Sequence, residues 1–131
     1  VDSIKKILVA DDDARNRMLL ETLLTADGYQ VVTVNSGAAT LEAVATDMPD
    51  LILLDLMMPG MDGFEVVRRL KAIDAFRDIP VVMVTALDDA GSRARLQSAG
   101  VADCLTKPID RWKLKESLAQ VLGEDDAYGR A

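Results

Sequence analysis

The chain has 131 residues, half of them hydrophobic and 28% charged, which suits one soluble domain with a single core. A net charge of −7 and an aromatic content of 4% exclude a nucleic-acid surface, which needs basic clusters or stacking platforms. Its one cysteine, Cys104, suits a reducing cytosol, the lack of histidine excludes a phosphohistidine donor or a His-ligated zinc site, and no apolar run has membrane-spanning or signal-peptide form.

Lys6 to Ala10 reads as an apolar strand that runs into Asp11-Asp12-Asp13. Ala14 to Ala26 reads as a helix with Leu19, Leu20, Leu23 and Leu24 on its inner face, ended by Asp27-Gly28. Gln30 to Val34 is a second strand, and its Thr33 suggests partial exposure. Ser36 can cap a helix over Ala38 to Thr46, with Leu41, Val44 and Ala45 inward. Leu51 to Asp55 is a third strand: four buried-type residues, then a carboxylate, then the turn chemistry of Leu56-Met57-Met58-Pro59-Gly60-Met61-Asp62-Gly63. Gly63 to Ile73 follows as a helix with Val66, Val67, Leu70 and Ile73 inward. Pro80 to Thr85 is a fourth strand, apolar until its last residue. Asp89 to Ala99 is a weakly amphipathic helix with Ala90 and Ala94 inward, closed by Gly100. Ala102 to Thr106 is the fifth strand, and Asp110 to Leu122 the last helix, with Leu114, Leu118, Val121 and Leu122 aligned. The expected domain is 1–123, with 124–131 a polar tail or the start of a linker; the start at Val1-Asp2 rather than Met suits an excised or a tagged chain.

Strand and helix alternate five times, which predicts an α/β sandwich: a parallel sheet covered on both faces and joined by right-handed crossovers. A doubly wound order of 2-1-3-4-5 is the flavodoxin-like arrangement, and ligands then bind beyond the carboxyl ends of strands one and three. Asp11, Asp12 and Asp55 all fall there and should converge. Close carboxylates repel one another by several kcal/mol at intermediate dielectric. A divalent hard cation held by oxygen ligands offsets this, and Mg²⁺ suits a shallow carboxylate site that keeps its waters. Thr85 and Lys107 bring a hydroxyl and an ammonium to the same rim. These are the parts needed for phosphoryl transfer to a carboxylate.

Four motifs then stand in order at strand ends: Ile7-Leu8-Val9-Ala10-Asp11-Asp12, Leu54 to Gly63, Val84-Thr85-Ala86 and Leu105-Thr106-Lys107-Pro108. With them the chain resembles a receiver domain of bacterial two-component response regulators over roughly residues 5–122. The resemblance implies that Asp55 accepts a phosphoryl group from a phosphohistidine on a histidine kinase or histidine phosphotransfer protein. It implies that Asp12 binds Mg²⁺ (or Mn²⁺) directly and Asp11 mainly through water, with Asp55 and the Met57 backbone carbonyl as further ligands. Thr85 would hydrogen-bond the phosphoryl oxygen, Lys107 would pair with the phosphoryl group or Asp55, and the Lys107–Pro108 bond would be cis. Asp13 is expected to cap the first helix. The implied protein is cytoplasmic and no enzyme in the ordinary sense. It catalyses only its own phosphorylation and dephosphorylation, and its phosphorylated form changes affinity for an effector or a linked output domain.

Two features depart from the family. Cys104 stands where receivers usually carry Tyr or Phe, so switching by a swinging ring is not expected. Met57 and Leu87, two residues after Asp55 and Thr85, are apolar and flank the path of attacking water, which predicts slow self-dephosphorylation. The fourth helix, with little apolar surface, is the element expected to move. Met57, Met58 and Met61 are either a soft docking surface or loop residues folded onto the body. Trp112 is either packed on its neighbours or exposed beside Cys104, Arg93 and Arg95. In the second case it marks a partner or homodimer surface on the helix 4–strand 5–helix 5 face. Three other functions would call for different residues. A flavin binder would want a phosphate loop after strand one, where three aspartates stand. An aspartyl phosphatase would want an acid where Met57 stands. A receiver-like interaction domain that works without phosphorylation would have lost an acid or the lysine, and none is missing.

Overall fold

Residues 4–86 and 90–123 are described by a computed structural model. The strands are β1 (Lys6–Ala10), β2 (Gln30–Val34), β3 (Leu51–Asp55), β4 (Val81–Thr85) and β5 (Asp103–Thr106). The helices are α1 (Ala14–Ala26), α2 (Gly37–Thr46), α3 (Gly63–Lys71), α4 (Ala90–Ala99) and α5 (Arg111–Leu122). The strands form one sheet in the order β2-β1-β3-β4-β5, every neighbouring pair parallel. This is the predicted doubly wound α/β sandwich.

Period-two alternation sends strand side chains to two cores. Leu8, Ile52, Leu54, Val81 and Met83 face Val44 of α2, Val66, Val67 and Leu70 of α3, and Leu96 of α4. Ile7, Val9, Leu51, Leu53, Val82 and Val84 face Leu20 and Leu24 of α1 and Leu114 and Leu118 of α5. All residues of β3 and β4 are buried, which explains their unbroken apolar runs. Helix entry is set by side-chain caps: Asp13, Ser36, Asp62 and Asp110 each accept backbone N–H bonds from the first turn that follows.

Several inward assignments fail for geometric reasons. Leu19 is 48% exposed, because it lies about 100° around α1 from Leu20, at the shoulder of the buried stripe. Helix α3 stops at Lys71 with Ala72 as its cap, so Ile73 falls in the following turn and is 44% exposed. Ala45 is exposed while Val44 is buried. In α4 the inward stripe runs through Ser92, Leu96 and Ala99, leaving Ala90 and Ala94 outside. The expected helix start at Asp89, the apolar Leu87 and the tail from Glu124 to Ala131 lie outside the described residues.

Candidate functional site

Strands β1 and β3 lie side by side at the centre of the sheet, so their carboxyl ends open at the same rim. One carboxylate oxygen each from Asp11, Asp12 and Asp55 lies within 4.8 Å of the others. Asp11 and Asp55 are buried and Asp12 is exposed, so the cluster opens to solvent on the Asp12 side. Asp13 is apart from it in role: its Oδ1 accepts the N–H groups of Arg15 and Asn16 at the start of α1, as expected of a cap.

Asp11 is fixed at every polar atom. Its N–H donates to the Val34 carbonyl at 3.1 Å, and its own carbonyl accepts from Arg17 Nη1 at 2.7 Å. Its Oδ1 accepts from the Asp13 N–H at 2.8 Å, and its Oδ2 lies 3.5 Å from Lys107 Nζ. Lys107 Nζ also lies 3.3 Å from Asp55 Oδ2, so one ammonium spans both buried carboxylates. The lysine is held from behind by its own N–H, which donates to the Thr85 carbonyl at 2.8 Å. The Lys107–Pro108 bond is cis, as expected. Asp55 pairs with Val84 across the sheet, which places the buried Thr85 one residue further toward the rim. The Met57 N–H donates to Asp55 Oδ1 at 3.3 Å, so the loop that carries the Met57 carbonyl is tied to the same carboxylate.

One ammonium does not balance this site. The Asp55 carboxyl is pushed up from 3.8 to about 6, first by burial and then by the charge of Asp11, with Lys107 pulling the other way. Negative charge held at a cost, next to an exposed third carboxylate, fits an oxygen-ligated divalent cation such as Mg²⁺. Asp11, Asp12 and Asp55, with the Met57 carbonyl, would hold it.

Backbone support for the end of β3 comes from a close approach that the sequence did not show. Gly63 opens α3 directly beneath β3: its N–H donates to the Leu56 carbonyl at 2.8 Å. A Cβ there would stand 2.8 Å from Met83 Sδ, 3.0 Å from Leu56 Cα and 3.1 Å from the Asp55 carbonyl. Arg17 is a second supporting residue, and unlike Gly63 it lies outside the sequence motifs. A cation near the start of a helix opposes the macrodipole, and that misplacement is the one signal the sequence offers for it.

The surface candidates separate. Met58 is buried in the core, Met61 is half-buried and Met57 is 61% exposed, so the three methionines form no common surface. Trp112 is 71% exposed, with Lys115 Nζ 5.9 Å from its ring centroid. Arg95 stacks over the Phe64 ring of α3 at 3.9 Å, and Cys104 is half-buried against the α3–α4 side of the core. A hollow of about 300 Å³ between β2 and α2, lined by Leu8, Val32, Val34, Ala39 and Ala43, includes none of the site residues.

Comparison with known proteins agrees with this geometry. Residues 7–119 match the family described as response regulator receiver domain. The chain is 53% identical over 105 residues to the response regulator PleD of Caulobacter vibrioides, covering 80% of this chain and 23% of PleD. It is 40% identical over 116 residues to the response regulator MprA of Mycobacterium leprae, covering 88% of this chain and 49% of MprA. The chain thus spans between about a quarter and half of these relatives. Among solved structures, the receiver domain of the sensor histidine kinase PA1611 of Pseudomonas aeruginosa superposes with a TM-score of 0.85 at 30% identity. That match covers 93% of this chain and all of that one, whose active-site cleft coordinates a magnesium ion. The chemotaxis protein CheY4 of Vibrio cholerae gives a TM-score of 0.86 at 27% identity, covering 91% and 99% of the two chains.

Proposed function

The chain belongs to the response regulator receiver domain family of two-component signalling, and from that premise we propose that Asp55 is its phosphoryl acceptor, served by Mg²⁺ at Asp11 and Asp12. The family implies phosphorylation-dependent signalling. The donor in this reading is a phosphohistidine on a histidine kinase or a phosphotransfer protein. An Asp55 carboxylate oxygen attacks phosphorus, the P–N bond breaks, and its electron pair returns to the imidazole, which then takes a proton from solvent. Bound Mg²⁺ would supply positive charge against the phosphoryl oxygens. Lys107, already 3.3 Å from Asp55, supplies the second cation and stays with the product as its partner. Thr85 presents its hydroxyl from the adjacent strand end to a phosphoryl oxygen. Met57 shields the acyl phosphate from water, so self-dephosphorylation is slow.

The observation that carries this reading is three oxygen donors within 4.8 Å of one another, with Lys107 Nζ 3.3 Å from Asp55 and 3.5 Å from Asp11. The signal leaves as a change of affinity for an effector or linked output domain, with α4 as the moving element and the α4–β5–α5 face, including Trp112, as the contact or homodimer surface. The domain in this reading is 1–123, working in the cytoplasm. The test is incubation with Mg²⁺ and a small acyl phosphate, followed by intact mass. The wild type gains one phosphoryl group and Asp55→Asn gains none. Equal labelling of the two proteins would refute Asp55 as the acceptor.

A further inference from the structure

We propose that Arg17 is a positioning residue for the cation site, acting through the peptide bond between Asp11 and Asp12. The inference rests on the metal site proposed above. Arg17 Nη1 donates to the Asp11 carbonyl at 2.7 Å, across six residues and from the first turns of α1. That carbonyl and the Asp12 N–H belong to one rigid plane, so fixing the C=O direction fixes where the Asp12 Cα points. Asp12 needs this more than its neighbours do. Asp11 is held through its own carboxylate by Asp13 and Lys107, and Asp55 through its carboxylate by Met57 and Lys107. The Asp12 side chain is exposed, and among the described residues no hydrogen bond or ion pair holds it. Its aim toward the cluster is set by backbone alone, and Arg17 is the side chain that grips that backbone.

The location of Arg17 argues against a merely decorative role. A guanidinium near the amino end of α1 opposes the helix dipole, and the acidic group at that end, the Asp13 cap, is bonded to the N–H groups of Arg15 and Asn16. A further cation beside a cation site also repels the metal. Two accounts of Arg17 therefore predict opposite signs. If its charge dominates, removing it tightens Mg²⁺ binding. If its grip on the Asp11 carbonyl dominates, removing it weakens Mg²⁺ binding, by about tenfold for a group that orients a ligand from behind.

Arg17→Met keeps most of the length and removes the charge and the donor, while Arg17→Lys keeps the charge and the ammonium's donors without the planar fork. Mg²⁺ affinity is read by calorimetry and by the Mg²⁺-dependent rise in melting temperature, without phosphodonor. The Mg²⁺ concentration that half-saturates phosphorylation is read separately. The expected result is an affinity about tenfold weaker in Arg17→Met and intermediate in Arg17→Lys, with the rate at saturating Mg²⁺ near that of wild type. Unchanged or tighter Mg²⁺ binding in Arg17→Met overturns the proposal, even if its melting temperature falls. A wild type that shows no Mg²⁺ response at all removes the metal site itself, and the role of Arg17 with it.

Discussion

Asp55, the proposed phosphoryl acceptor, carries a cost to the fold. Its carboxyl is buried beside Asp11, and its folded value of about 6 lies above the ordinary 3.8. Between those values the metal-free folded protein binds more protons than the unfolded chain, so stability falls as pH rises through that window and stays lower above it. A rise of that size corresponds to at most about 3 kcal/mol. Asp55→Asn removes the penalty. The variant should be more stable than wild type at pH 7.5 in chelator, by no more than about 3 kcal/mol, with a smaller gap at pH 5. Urea melts at the two pH values measure this, and an equal gap at both would place the cost elsewhere. Glu65 has the opposite character: hydrogen bonds from Arg68 and Arg69 pull its carboxyl down to about 2, and it lies on the outer face of α3. It belongs to the helix surface rather than to the site.

At the scale of elements, two helices bear on the site in different ways. Helix α3 begins against the strand that ends in Asp55, with Gly63 where any Cβ would meet Met83, Leu56 and the Asp55 carbonyl. Gly63→Ala is expected to cost about 1–3 kcal/mol and to slow phosphorylation, since the strain falls on the strand end that carries the proposed acceptor. Chemical denaturation and labelling rates check the two effects. Helix α4 has the least buried face of the five helices: Leu96 is its one buried residue among those described, and Arg95 stacks on Phe64. Its amides should exchange sooner than those of α3 or α5, and Leu96→Ala should release α4 further while costing the fold about 2–3 kcal/mol. Hydrogen exchange by mass spectrometry reads this directly; α4 protection equal to that of α3 would contradict it. Strands were legible because β3 and β4 are buried on both faces, so their apolar runs had no other reading. Helix faces were less so. Leu19 and Ile73 are apolar yet exposed, and α4 turns a serine and an alanine inward beside Leu96, so hydrophobicity alone could not find its inner stripe.

For the whole molecule, topology converts positions far apart in sequence into one site. Asp11, Asp55, Thr85 and Lys107 end or directly follow four different strands, and the sheet order brings those ends to one rim. Their convergence could be read from the chain because each sits at a strand end, where parallel α/β sheets place ligands. What supports them could not: the Arg17 grip on the Asp11 carbonyl and the close approach of Gly63 depend on three-dimensional contacts that no local pattern announces. The most direct test of the shared-cation claim is a Mg²⁺ titration of acyl-phosphate formation in wild type and Asp12→Asn, from chelator to saturation. Labelling should be absent in chelator, saturate with Mg²⁺ in wild type, and require at least about tenfold more Mg²⁺ in Asp12→Asn. Labelling that proceeds equally in chelator, or curves that coincide for the two proteins, would contradict the account.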